Sequence, residues 1–155
     1  MRVLIQRVTK ASVMVDKKTV GAIEHGLLVF IGAARGDDRE AADWLCDKII
    51  GLRIFSDAEG KMNLSLEDVK GSILLVSQFT LLGDLRRGKR PSFINAADPS
   101  EAEDLYQYFG SRLAQKVKVA YGIFGAHMEV SLVNDGPVTF WLEKIPSVLG
   151  EKNGA

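Results

Sequence analysis

The chain has 155 residues, with 20 Lys and Arg balanced by 20 Asp and Glu, so its formal net charge is zero. That length suits one domain with a sizeable core, and without a global field any nucleic-acid partner must be held by a local basic patch. No apolar run approaches the roughly 20 residues that span a bilayer, and the one cysteine, Cys46, forms no internal disulfide, which fits a reducing cytoplasm.

Residues 2–9 and 12–17 predict an antiparallel pair, with Val13 and Val15 alternating against Ser12 and Met14. Polar residues interrupt the opening Met1-Arg2-Val3-Leu4-Ile5-Gln6-Arg7-Val8 and no small-residue cleavage site follows, so it reads as a strand rather than a signal peptide. Val20 to Ile23 and Gly26 to Ala33 come next, the second almost continuously apolar, as in a strand buried on both faces. Asp37 and Asp38 offer an N-cap and negative charge to a helix over about residues 38–51. Its apolar positions Ala41, Trp44, Leu45, Ile49 and Leu52 keep helical spacing. Leu52 to Phe55 predicts a short strand, and Ser56-Asp57-Ala58-Glu59-Gly60 a turn.

Ser72 to Phe79 is the next strong strand, and Thr80 to Asn95, with two glycines, a proline and four basic residues, reads as a loop. Asp98-Pro99-Ser100-Glu101 opens a second helix: N-cap Asp, Pro at the first helical position and Glu three residues after the cap. Leu105, Phe109, Leu113 and Val117 continue its apolar stripe. Ala126 to Val133, alternating around Met128, Val130 and Leu132, and then Val138 to Leu142 predict two closing strands. There is no internal repeat or linker, so residues 1–149 read as one domain and 150–155 as a tail. The expected fold class is α/β, a single domain with a curved, mixed, largely antiparallel, barrel-like sheet covered by two main helices.

The usual catalytic constellations are missing. Cys46 lies mid-helix with no activating partner in sequence. His25 sits in a turn and His127 alternates with apolar residues. Neither belongs to a triad or ligand spacing, and no Cys/His cluster suits zinc, so no metal and no cofactor are expected. An enzyme made this way must work by positioning and by backbone hydrogen bonds.

Two polar islands meet that requirement. Ser77-Gln78-Phe79-Thr80 follows Ile73-Leu74-Leu75-Val76. In the plain reading it is a strand edge capped by polar residues. In the functional reading the ladder stops there and frees N–H groups near Phe79 or Thr80 for an oxyanion, each donor being worth about two to three orders of magnitude in rate. Gln78 and the two hydroxyls would orient a substrate amine or a water. The second island is Asn134-Asp135-Gly136-Pro137-Val138-Thr139. Asp135-Gly136 is ordinarily a hairpin turn, yet a cis bond before proline costs only about 0.5–1 kcal/mol. A cis Gly136-Pro137 step would hold successive carbonyls as a wall that rejects a side chain by shape. Arg86, Arg87, Lys89 and Arg90 form the one basic cluster, either a solvated loop or a salt-sensitive grip on phosphates.

Both islands, the opening Met1 to Val8 segment and Arg90-Pro91-Ser92-Phe93 together resemble the D-aminoacyl-tRNA deacylase (D-tyrosyl-tRNA deacylase) family over about residues 1–145. The resemblance implies a cytoplasmic, homodimeric esterase that removes D-amino acids, and also glycine, from mischarged tRNA, a chiral proofreading step in translation. It places Ser77, Gln78, Phe79 and Thr80 in the pocket, with the N–H groups of Phe79 and Thr80 as the oxyanion hole. It makes Gly136 and Pro137 a cis step entering the partner subunit's site, where their carbonyls exclude an L side chain. Arg7 matches an arginine that braces this segment, and Met128 a residue at the terminal adenosine. The partner implied is the acceptor end of aminoacyl-tRNA, with no membrane. Since nothing in the sequence takes a proton from Thr80, the substrate's own ribose 2′-hydroxyl is the better candidate to help activate water, and Thr80 reads as a hydrogen-bonding residue. Two alternatives stay open: a non-catalytic nucleic-acid-binding module using residues 86–90, and a hydrolase of small D-amino-acid esters or peptides.

Overall fold

The computed structural model describes residues 1–146, so the tail expected at 150–155 lies outside the described residues. Strand β1 (Arg2–Val15) is a single span, where two paired strands were expected. The alternation that suggested a break reflects a change of core. Val3 and Ile5 pack beneath the helices, whereas Val8, Ala11 and Val13 enter a second cluster on the other face. Thr9 is the extra residue in a bulge that makes this phase change, since Val8 and Lys10 pair with the adjacent Asn134 and Val133. The turn comes later, at Asp16 and Lys17, both with positive φ, and leads into β2 (Lys18–Ile23).

Strand β3 (Gly26–Gly32) pairs antiparallel with the first half of β1 and parallel with β6 (Ser72–Ser77). Between them run helix α1 (Arg39–Gly51) and a small hairpin of β4 (Phe55–Ser56) and β5 (Met62–Leu64). The strand expected at Leu52 to Phe55 thus begins only at Phe55. Helix α2 (Pro99–Ala114) precedes β7 (Val119–Tyr121), which is parallel to β6, and β8 (Glu129–Glu143), which lies along the free side of β1. The sheet order is β2-β1-β3-β6-β7 with β8 beside β1. It curls until β2 nearly meets β7: a Cβ on Gly21 would stand 2.3 Å from the Tyr121 carbonyl oxygen, so only glycine fits that approach. The expected α/β class, with a barrel-like sheet and two helices, is the one observed.

The continuous apolar runs of β3 and β6 follow from two cores. Leu27, Val29, Ile31, Ile73 and Leu75 face α1 and α2, while Leu28, Leu74 and Val76 fill the inside of the curl. Asp38 caps α1 as expected, accepting from the Ala41 N–H at 2.9 Å. Asp98 occupies the N-cap position of α2 but makes no side-chain cap bond. Trp44, counted in the apolar stripe of α1, is 40% exposed and lies beneath the ammonium groups of Lys48 and Lys144. No helix among the described residues is long and apolar enough to cross a membrane.

Candidate active site

The first polar island lies where the sheet loses its ladder. Ser77, at the end of β6, is in register with Ile31, and Gln78 adds a last rung by donating its N–H to the Ile31 carbonyl at 2.7 Å. The chain then leaves the sheet in a 3-10 turn, Phe79–Leu82, so the strand expected to reach Phe79 ends at Ser77. Leu81 N–H donates back to Gln78 and Gly83 N–H to Thr80. The N–H groups of Phe79 and Thr80, at the open end of this turn, have no acceptor among the described residues. Three supports hold the turn. Leu82 is 2% exposed, Gly32 leaves no room for a Cβ beneath Gln78 O and Leu82, and Arg2 Nη1 donates to Leu81 O at 2.8 Å.

Beside the turn is a cavity of about 280 Å³, whose walls include Ile31, Ser77, Phe79, Ala97, Tyr106 and Phe124. Its lining contains no carboxylate, imidazole or thiol. Tyr106, whose ring centroid is 5.8 Å from that of Phe124, donates its hydroxyl to Leu75 O at 3.1 Å. Burial, with a smaller contribution from Tyr121, pushes the Tyr106 phenol up to about 12, so it serves as a neutral donor. Phe79 is 57% exposed and packs against Phe93 with centroids 4.9 Å apart. The Gln78 amide donates to the Thr80 hydroxyl. Such a place offers backbone donors and an apolar seat but no general base.

The second island is a bulge rather than a turn between two strands. β8 is continuous from Glu129 to Glu143, but Gln6 pairs with Thr139 and Val8 with Asn134, so several residues of β8 bow out opposite Arg7. Gly136-Pro137 is cis, and Gly136 has φ +134°. The segment is tied at many points. Asn134 Oδ1 accepts from Val138 N–H at 3.1 Å, and Asn134 Nδ2 donates to Thr139 Oγ1 at 3.0 Å. Arg7, only 8% exposed, donates from Nε to Asp135 O at 3.1 Å and from Nη1 to Ile54 O at 2.8 Å. Its Nε is also 3.3 Å from the Asp135 carboxylate.

Within one chain, Gly136 and Pro137 are exposed and do not line the cavity. Met128 lies just before β8, its sulfur against Gly122 and the second core, and is likewise absent from the cavity wall. In the basic loop Arg86 grips the Asp84 carboxylate at 2.9 and 2.7 Å. Those bonds hold the Asp84 carboxyl down at about 2. Arg87, Lys89 and Arg90 are exposed with no ion pair among the described residues.

Cys46 is buried, and burial pushes its thiol up to about 12, leaving it unreactive at neutral pH. His25 packs edge-on against Phe55, and His127 lies in the loop before β8 rather than on a strand. No group of three His, Cys, Asp or Glu among the described residues could hold a metal. Sequence reasoning missed Arg2, Tyr106 and Phe124. Tyr106, one position after Leu105 in the α2 stripe, was the only one with a readable signal.

The family model described as D-Tyr-tRNA(Tyr) deacylase matches residues 4–143. A D-aminoacyl-tRNA deacylase of Thermotoga petrophila is 57% identical over 144 residues, covering 92% of this chain and 97% of the relative. One of Geotalea uraniireducens is 58% identical over 144 residues, covering 92% and 93%. A solved structure named c-Myc DNA Unwinding Element Binding Protein superposes with a TM-score of 0.89 at 37% identity, over 94% of this chain and 100% of that one. Another, "Structural Analysis of a probable eukaryotic D-amino acid tRNA deacylase", has a TM-score of 0.78 at 20% identity, over 91% and 97%, a likeness of fold.

Proposed function

The chain belongs to the D-Tyr-tRNA(Tyr) deacylase family, whose members are ester hydrolases, and on that premise we propose that it releases D-amino acids, and also glycine, from mischarged tRNA through backbone chemistry at two islands. The observation that carries this reading is the pair of unpartnered N–H groups, Phe79 and Thr80, beside a cavity that contains no general base. The ester carbonyl oxygen is received by these two donors as it becomes an oxyanion. The cavity walled by Phe79, Tyr106 and Phe124 seats the terminal adenosine. Water adds to the carbonyl carbon, the ribose 3′-oxygen departs, and the neighbouring 2′-hydroxyl helps to move the proton. Ser77 and Gln78 orient the amino group, and Thr80 contributes its N–H and a hydrogen-bonding hydroxyl.

Chirality is read by the backbone of Gly136 and Pro137 from a second copy. A preference of about four orders of magnitude needs roughly 5.5 kcal/mol, whereas a methyl contact in a yielding pocket supplies about 1–3. A braced main chain supplies the harder clash, and the Arg7 bonds to Asp135 O and Ile54 O support that role. Dimerisation is favoured by β8 itself, which pairs only with β1 among the described residues and exposes Val133, Phe140 and Trp141. Met128 would meet the terminal adenosine from beside the second island. Arg86, Arg87, Lys89 and Arg90 would contact tRNA phosphates.

The test is incubation with matched D- and L-tyrosyl-tRNA and with a free D-tyrosine ester. Rapid release from D-tyrosyl-tRNA alone is expected, and equal release from both enantiomers would remove the chiral selector. A second reading, nucleic-acid binding without cleavage, is favoured by the exposed basic loop and by the name of the 37% identical structure, a DNA unwinding element binding protein. It expects salt-dependent retention of tRNA with the ester intact.

A further inference from the structure

A groove runs along the same end of the sheet as the cavity. One stretch of it is walled by Arg2, Arg35, Asn95 and Lys144, and shares Met1 with the cavity wall. Arg2, Leu82 and Asn95 also line the next stretch, which reaches Asp84 and Arg86, and these two lead on to Arg87. Strand register explains the alignment. Arg2 is opposite Gly32 on one side and Glu143 on the other, and Gly32 directly follows Ile31, the partner of Ser77. With strands about 4.8 Å apart, Arg2 stands on the order of 10 Å from Ser77.

The acids of this groove are already committed. Asp37 is buried against the Met1 ammonium at 2.7 Å, Glu143 holds Arg2 at 2.7 Å, and Asp84 holds Arg86 at 2.7 Å. Among the described residues, the remaining cations hold carboxylates weakly or not at all. Arg35 is oriented by donation to Ile94 O at 2.8 Å, and its nearest carboxylate, Asp98, is 3.8 Å away with both side chains more than half exposed. A pair of that kind is worth little. Lys144 rests over Trp44 at 5.2 Å and has no carboxylate partner among the described residues, and Arg87 has none either. In a chain of zero net charge, these three cations along one groove beside the ester site make a local field for an extended polyanion.

We propose that Arg35 and Lys144, with Arg87 at the far end, hold backbone phosphates of the single-stranded 3′ end preceding the terminal nucleotide, so that the acceptor end is gripped along the groove and not by the 86–90 loop alone. This rests on the deacylase reading above and adds the path of the RNA. Contacts of this kind position the strand without reading its sequence.

The decisive variant is the double charge reversal Arg35→Glu with Lys144→Glu, assayed between about 50 and 200 mM salt. Two substrates are compared: D-tyrosyl-tRNA and D-tyrosyl-adenosine, which lacks the preceding phosphates. For the tRNA, KM rises about 10-fold or more with kcat unchanged, and the slope of log KM against log salt falls by roughly 1.4, the value for two single-strand phosphates. The adenosine ester is cleaved equally by wild type and variant. If the reversal harms both substrates, Arg35→Gln with Lys144→Gln decides, with an expected rise of about 3-fold for the tRNA alone. Unchanged tRNA kinetics, or a failure of both pairs to separate the two substrates, overturns the proposal and leaves the groove to a partner other than RNA. A wild type that cleaves neither substrate would overturn the deacylase reading itself, and this proposal with it.

Discussion

At Ser77–Thr80, β6 outruns its neighbours, because β3 ends at Gly32 and β7 reaches only to the level of Leu75. At Asn134–Thr139, β8 keeps β1 beside it on both sides of the bulge, from Val8 to Gln6. Both islands are short polar runs after apolar stretches, yet the first leaves two N–H groups open and the second ties its groups to Asn134 and Arg7. A neighbouring strand decides the difference. Where the ladder stops, backbone polarity is available to a ligand; where it persists, the same polarity is spent on holding a shape.

The most severe way to break this contrast is to deform the closed island. A Cβ on Gly136 would lie 2.6 Å from Val138 Cγ2 and 3.3 Å from Arg7 Nη2, at a φ of +134° that L side chains rarely adopt. Val138 is buried and cannot move aside freely. Gly136→Ala is therefore expected to lower kcat/KM on D-aminoacyl-tRNA by at least about 100-fold, roughly 3 kcal/mol, and to narrow the D-to-L ratio. Retained activity with unaltered enantioselectivity would mean that this segment does not shape the site.

Next in size is Arg7→Ala. It strands the Asp135 and Ile54 carbonyls and empties a buried volume, at a cost of about 2–3 kcal/mol in urea denaturation. Arg7→Lys should recover only part of this, because an ammonium cannot span both carbonyls as the guanidinium does. A wild-type midpoint would show that the bulge holds itself. Arg2→Ala sharpens the contrast from the other side. This arginine is about one-third exposed and touches the open island only through Leu81 O. Its loss is expected to cost less than about 1 kcal/mol of stability, yet to lower kcat several-fold at constant KM, as the turn carrying Phe79 and Thr80 loosens. A change in KM alone would exclude a positioning role.

The elements that bury two faces or one clear stripe were legible in the sequence. Leu27 to Ile31 and Ile73 to Val76 announced themselves by unbroken apolarity, and α1 and α2 by Asp38 and the Asp98-Pro99 step. What escaped notice depends on partners distant in sequence. Thr9 looks like an ordinary strand residue until β8 is placed beside it, and in the sequence alone the bulge there reads as a chain reversal. Asp16 and Lys17, without glycine, do not advertise positive φ. Val119 to Tyr121 is too short to pattern itself and is a strand only because β6 lies alongside. The islands themselves could be located from their residues. Their opposite backbone fates could not, since each depends on where a neighbouring strand ends. The cavity beside the first island draws on residues from Met1 to Gly125, and Arg2 reaches the turn through a fold-level contact that leaves no local trace.

The smallest expected effect belongs to the residue whose chemistry looks most reactive on paper. The Thr80 hydroxyl accepts a hydrogen bond from the Gln78 amide, and no carboxylate or imidazole among the cavity's lining residues stands ready to take its proton. Its backbone N–H, by contrast, is open. Thr80→Val keeps the β-branched shape and that N–H while removing only the hydroxyl, so kcat should fall about 3-fold, under 1 kcal/mol. If the open island worked through side-chain nucleophilicity, the same change would abolish turnover with tRNA binding intact, and wild type would yield a trappable acyl-enzyme. The comparison therefore turns on a single oxygen atom: a mild loss leaves catalysis with the unpaired backbone at the end of β6, and a total one moves it to Thr80.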